Sequence, residues 1–194
     1  MHVMVADASR FVASLRTQSA FLEQALYGLV AALADFGLVY VVDGDRLTCA
    51  AFAHTTRRGR HLLRTLKHAY QLRRSDRDST VAQVVRIGRP ALRRHISPEP
   101  EPPPTPTAAH VSNLHRRLAA RSVLAVPIHG RDGVLGALML AYAGSGRQYS
   151  PEDIPVVEHV AMQIGFALDH GAPSLKGRAS SAVRRVLPRL RGRV

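Results

Sequence analysis

The side chains best suited to covalent or metal chemistry in this chain are one cysteine, Cys49, and ten histidines. A lone thiol cannot close an internal disulfide or build a cysteine-based zinc site, and it leaves no resolving partner for a redox cycle. Cys49 lies in the middle of a predicted strand with no neighbouring histidine, which reads as a small buried side chain. Haem iron takes an axial histidine, and His110 and His115 are the candidates. Five residues apart on a helix they point to different faces, so at most one can turn inward. His54 at a strand end, and His61 and His68 in a basic amphipathic stretch, read as solvated or capping groups. No His or acid pair stands at i, i+4 with a third ligand, and neither a His-Glu-x-x-His helix nor a phosphate-cradling glycine-rich motif occurs. The residues therefore nominate no metal site and no catalytic nucleophile.

Charge is the second chemical resource. The 194 residues carry 27 Lys+Arg against 14 Asp+Glu, a formal charge of +13. Twelve of the basic residues fall between Arg57 and Arg94 against only Asp76 and Asp78, a local excess suited to phosphate groups or to a solvated surface. Beyond Pro173 stand Lys176, Arg178, Arg184, Arg185, Arg189, Arg191 and Arg193 with no acid. Val183, Val186, Leu187 and Leu190 form a short apolar stripe among them, interrupted by Pro188. Three readings fit this tail: a solvated end, a segment lying on an anionic membrane, or an arm that contacts nucleic acid nonspecifically. It has no aromatic residue to stack on bases.

The elements that must position these groups follow from periodicity. Phe11, Leu15, Leu22, Leu26, Leu29 and Leu33 recur at helical spacing, predicting a long first helix from Phe11 to Phe36 stopped by Gly37. Leu38 to Asp43 and Arg46 to His54 flank an Asp-Gly turn, which signals a hairpin. His61 to Leu72 reads as a helix, and Ser79 caps another running to Ile87. Ala91 to Ile96 is one strand's length. Six prolines in the eleven residues from Ser97 to Thr107 exclude helix and ladder, predicting an extended insertion. Ala108 to Arg121 resumes a helical pattern. Ser122 to Ile128 and Val134 to Tyr142 form a second hairpin, and Ser150-Pro151-Glu152-Asp153 is a well-specified helix start. In that last helix Val156, Val160 and Ala167 form a second apolar line, which predicts a homodimer through the terminal helices. With 46% hydrophobic residues and no apolar run long enough to span a bilayer, a soluble α+β domain is predicted. Met1 to Arg10 has no apolar leader pattern, predicting cytoplasmic residence.

This order of elements resembles a GAF domain over roughly residues 15–171. The resemblance is carried by Val39 to Leu47, by Val85-Arg-Ile-Gly-Arg-Pro90, by Ser122 to Gly130 with Gly133 to Leu140, and above all by the second hairpin leading into Tyr149-Ser-Pro-Glu-Asp153. It implies a central antiparallel sheet of five or six strands flanked by helices, with long N- and C-terminal helices and a small-molecule pocket on one face. The division that follows is a lead-in over 1–14, the domain over 15–171 with its insertion over 97–107, and a basic tail over 172–194. The specialised chemistries of the family find little support. The only asparagine, Asn113, lacks the lysine of a cyclic-nucleotide motif, one cysteine excludes the usual methionine sulfoxide reductase mechanism, and Cys49 is the single thiol available for a bilin. Asp153-Ile-Pro155 copies a tripeptide of the photoreceptor members but stands at the start of the last helix, away from a chromophore position.

A pocket of this kind is expected to be lined by Tyr40, Ala51, Leu72, Leu114, Leu118, Val126 and Leu138, with His54 and Arg74 at its rim. The same apolar residues also suit an ordinary core, since a sheet face must be covered in either case. The expectation is a non-catalytic sensory or regulatory module with no resident cofactor, haem or another small ligand remaining open. A kinase, phosphatase or transcription regulator on a separate chain is the expected effector. The alternative is a dimerising scaffold whose basic tail binds nucleic acid or an anionic membrane.

Overall fold

The computed structural model describes residues 20–96 and 106–169. The predicted lead-in, the insertion over 97–105, the basic tail with its seven cations, and the start of the first helix with Phe11 and Leu15 lie outside the described residues. Helix α1 covers 20–33. It is followed by β1 (Phe36–Asp43), β2 (Arg46–His54), α2 (Arg57–Ala69), β3 (Leu72–Arg73), α3 (Thr80–Ile87) and β4 (Ala91–Arg93). Then come α4 (Pro106–Leu118), β5 (Ser122–Gly130), β6 (Gly133–Tyr142), a 3-10 turn (Pro151–Asp153) and α5 (Ile154–Asp169). The strands form one antiparallel sheet in the order β3-β2-β1-β6-β5-β4.

Both predicted hairpins form. Asp43 pairs with Arg46 across a two-residue loop in which Gly44 has φ 60°, the left-handed conformation this tight turn demands. Helix α1 ends three residues before Phe36, so Gly37 is a strand residue and not the helix stop. The chain leaves the helix there because Asp35 is committed to the sheet. Its N–H donates to Ala141 O at 2.9 Å, and its carbonyl accepts from Thr55 N at 2.9 Å. Pro106 and Thr107 open α4 rather than closing the insertion; proline is tolerated in a first turn, where its missing N–H has no intrahelical partner.

Helix α2 starts earlier than periodicity predicts, at Arg57, because Thr56 caps it by accepting from Gly59 N at 3.0 Å. Its first turn holds Arg57, Arg58 and Arg60 and no acid. Cations there oppose the helix macrodipole, at a cost of about 0.3–1 kcal/mol each for exposed groups. Ser79 caps α3 as predicted, accepting from Ala82 N at 3.2 Å. Ser150 and Asp153 make the reciprocal capping box ahead of α5, with Ser150 N–H donating to Asp153 Oδ2 at 2.7 Å.

The sheet separates two cores. On one face Leu22, Leu26, Leu29 and Val30 of α1 and Val157, Ala161 and Ile164 of α5 pack on Val39, Leu124, Val126, Leu138 and Leu140. Tyr149, 1% exposed, closes this core: its hydroxyl donates to Leu33 O at 2.7 Å, satisfying a carbonyl at the end of α1, and its ring stacks on Tyr142. Val160 and Ala167 are buried within the chain, so the second apolar line of α5 already has its partner and gives no separate reason for a dimer. On the other face α2, α3 and α4 cover Leu38, Tyr40, Cys49, Val123, Ala125, Ala137 and Ala141.

Candidate functional site

The face under α2 and α4 buries a phenol. Tyr40 points to this face from β1 and is 7% exposed. Among the described residues its hydroxyl has no hydrogen-bond partner. A phenol lacking a partner in such a position is a donor and acceptor held ready for something small.

Its surroundings define what that something meets. Across the β1–β2 pair Tyr40 faces Cys49, whose thiol donates to Ala51 O at 3.5 Å. Burial pushes the Cys49 thiol up to about 11, the Lys67 ammonium pulling weakly the other way. Burial also raises the Tyr40 phenol far above its ordinary value, with smaller contributions from Cys49 and Tyr70. Neither group ionises near neutral pH, so the pair offers a neutral hydrogen-bonding site and no nucleophile or base. Tyr70, which ends α2, stands edge-on to His115 at 5.6 Å, and the Lys67 ammonium lies 5.9 Å from the centre of the Phe52 ring.

Four of the nine anticipated pocket residues share this core: Tyr40, Leu72, Leu114 and Leu118. Ala51, Val126 and Leu138 do not. They lie on the opposite face beneath α1 and α5, with Val126 directly paired to Leu138. For Ala51 the cause is a β-bulge: Val39 pairs with Ala51 and Tyr40 with Cys49, leaving Ala50 as the extra residue that turns Cys49 and Ala51 to opposite faces. Arg74 is exposed, its N–H donating to Asp45 O at 2.8 Å, so it sits in the loop after β3, at the sheet edge. His115 keeps part of its surface in solvent while its ring packs edge-on against Tyr70, and Leu114 and Leu118 supply the inward side of α4. His110 lies on α4, and its side chain is outside the described residues. Sequence reasoning missed Ala125, Ala137 and Ala141, the short side chains of β5 and β6 on the Tyr40 face. Strict alternation from Val126 and Leu138 would have found the first two.

His54 serves the scaffold. Its ring stacks on Phe36 at 5.6 Å and 10°, and its Nδ1 accepts from Thr56 N at 3.0 Å, setting the cap that starts α2. Gly59 makes room for it: a Cβ there would fall 2.0 Å from His54 Cδ2. Burial lowers the His54 pKa, Arg60 adding to the effect and Asp35 opposing it, and burial lowers that of His115 too. Both histidines then bind a proton more readily unfolded than folded. Their contribution to stability is complete above their ordinary value of 6.5 and is lost as pH falls through the lower folded values. Urea midpoints measured from pH 7.5 to 5 are expected to fall, with a shallower fall in His54→Asn; identical pH profiles would remove His54 as the source.

Among the described residues no three His, Cys, Asp or Glu side chains gather as a metal site, and no helix is long and apolar enough to cross a membrane. The described residues form an antiparallel six-stranded sheet with α1 and α5 on one face and α2, α3 and α4 on the other. The model of the GAF domain family matches residues 16–169, and the chain belongs to that family. Solved structures agree in fold. A methyl-accepting chemotaxis protein fragment superimposes with a TM-score of 0.59 at 17% identity, covering 82% of this chain and 93% of its own. The second GAF domain of DevS from Mycobacterium smegmatis gives 0.54 at 16%, covering 87% and 98%. The blue-light absorbing form of the PixJ GAF domain from Thermosynechococcus elongatus gives 0.54 at 19%, covering 93% and 96%. No curated protein matches the chain.

Proposed function

We propose that this GAF domain is a sensory or regulatory module that binds a small, uncharged molecule between the sheet and helices α2 and α4, and signals its occupancy without catalysing a reaction. The observation that carries this reading is the Tyr40 hydroxyl, buried and without a partner among the described residues. The ligand is held reversibly, because the Cys49 thiol stays protonated and is a poor nucleophile at neutral pH. Occupancy moves α2 and α4 relative to β1, and β1 is also the floor of the core that holds α1 and α5. Self-association through those terminal helices, supported by Met162 exposed at 59% on α5, would hand the signal to a second copy or to a separate kinase, phosphatase or transcription regulator.

Two measurements test this. Protein purified from cells, then denatured and analysed by absorption and mass spectrometry, should release a small molecule in near-stoichiometric amount. Tyr40→Phe should leave stability unchanged, since it deletes a hydroxyl that the fold does not use, while weakening retention of that molecule about tenfold, one hydrogen bond's worth. A Tyr40→Phe protein that is clearly less stable yet retains the molecule fully would show that the hydroxyl serves the fold alone.

A further inference from the structure

The outer side of α2 is built against its own stability. Arg57, His61, Arg64 and His68 recur at i, i+4, i+7 and i+11, forming one outward row over the helix whose inner side buries Leu62, Leu63 and Leu66. Arg57, Arg58, Arg64 and Lys67 are all exposed, and no acid lies between residues 57 and 68. Three arginines occupy the first turn, where the helix dipole favours anions, and Arg64 and Lys67 add like-charge neighbours at i, i+3. Arg73 pairs with Asp45 at 3.4 Å, away from α2. Helix α4, packed beside α2, contributes exposed Arg116 and Arg117 near its C-terminus. A segment that breaks the local charge rules and carries no acid of its own is a mark of a surface shaped by something it binds.

We infer that the outer face of α2 docks on the phosphate backbone of double-stranded nucleic acid, independently of base sequence. The row from Arg57 to His68 runs about 16 Å along the helix axis, the length of about five phosphates on one strand. Its outward positions carry no Leu, Phe or Trp to enter a bilayer, which sets it apart from helices that lie in a membrane interface. They carry no Phe, Tyr or Trp to stack on unpaired bases either, so affinity comes chiefly from charge and from the release of counterions. Bound phosphates would supply the negative charge that the first turn of α2 lacks.

The test uses the full chain and a fluorescent 20-base-pair DNA duplex of arbitrary sequence, titrated by anisotropy between 50 and 200 mM salt. Joint replacement Arg57→Gln, Arg58→Gln and Arg64→Gln should weaken binding about a hundredfold at 0.1 M salt and make log K against log salt shallower by about two to three, near 0.9 for each phosphate no longer neutralised. The same protein should melt at a higher temperature than the parent, because the cations it removes oppose the helix. Arg64→Gln alone, in mid-helix, should show a fraction of the same loss and keeps the test informative should the triple variant misfold. Three results would overturn the inference: no binding by the parent, binding by the triple variant within twofold of the parent with all affinity residing in the tail cations Lys176 to Arg193, or binding to phosphatidylserine vesicles in place of the duplex.

Discussion

Gly165→Ala is expected to destabilise the protein by about 2 kcal/mol, although helix propensity alone predicts the opposite sign. In an isolated helix the substitution gains about 1 kcal/mol. Here α5 is pressed onto β5 so closely that a Cβ at position 165 would fall 2.1 Å from the His129 carbonyl oxygen and 3.4 Å from Ile128 Cγ2. The obstacle is backbone, which cannot rotate aside, and the helix is pinned by Val157, Ala161 and Ile164 before this position and by Leu168 after it. Forcing a methyl into such a contact costs about 3 kcal/mol, the upper part of the range for overpacking. Urea denaturation should show a lower midpoint with an unchanged slope, while Met162→Ala, on the exposed side of the same helix, should stay within about 0.5 kcal/mol of the parent. A stabilised Gly165→Ala protein would mean that α5 does not sit on β5 as described.

The second large effect is expected at Asp35. One carboxylate oxygen accepts from Ala143 N at 2.6 Å, Ser145 N at 3.0 Å and Ser145 Oγ at 2.7 Å, while the main chain of the same residue bonds to Ala141 and Thr55. Burial raises its pKa, but these three bonds and the nearby His54 outweigh that and hold the carboxyl below its ordinary value. Asp35→Ala leaves the part-buried Ala143 N–H without an acceptor and loses three charge-assisted bonds. Because the site is half open to water, which can replace some of them, the net loss should be about 2–3 kcal/mol. Amide exchange at Ala143 and Ser145 should accelerate in parallel. Asp35→Asn should fall between, and a loss below about 0.5 kcal/mol would show that water substitutes fully for the carboxylate. The sign with pH is the same as for the histidines but in a lower window: this contribution is complete above the ordinary carboxyl value of 3.8 and disappears as pH falls through the folded value.

Much of this architecture is legible in the sequence because the signals are local. Asp43-Gly44 and Ser150-Pro151-Glu152-Asp153 each specify backbone geometry within four residues, and both form the turn and the helix start that their residue types predict. The stripe Leu22, Leu26, Leu29 marks the buried side of α1 for the same reason. What sequence reading misses is set by partners distant along the chain. Asp35 ends α1 through bonds to residues more than 100 positions away. The bulge at Ala50 reverses which face Ala51 occupies, and no residue type announces it. The start of α2 is obscured because three arginines at the head of a helix contradict the usual charge preference. Of the candidate site, Tyr40 is legible as an inward strand residue, but its significance lies in a hydroxyl left unpaired among the described residues, a property that only the packing of α2 and α4 around it reveals.

The sheet ends in two very short strands, Leu72–Arg73 on one side and Ala91–Arg93 on the other. Because β3 pairs only with Arg46 and Leu47, and β4 only with Val123 to Ala125, residues 48–54 of β2 and 126–130 of β5 have no strand neighbour on their outer side among the described residues. An open edge invites another chain to add a strand, so any strand-mediated assembly of this protein is expected to begin at one of those two stretches, and a lysine placed there should slow the growth of thioflavin-positive aggregate.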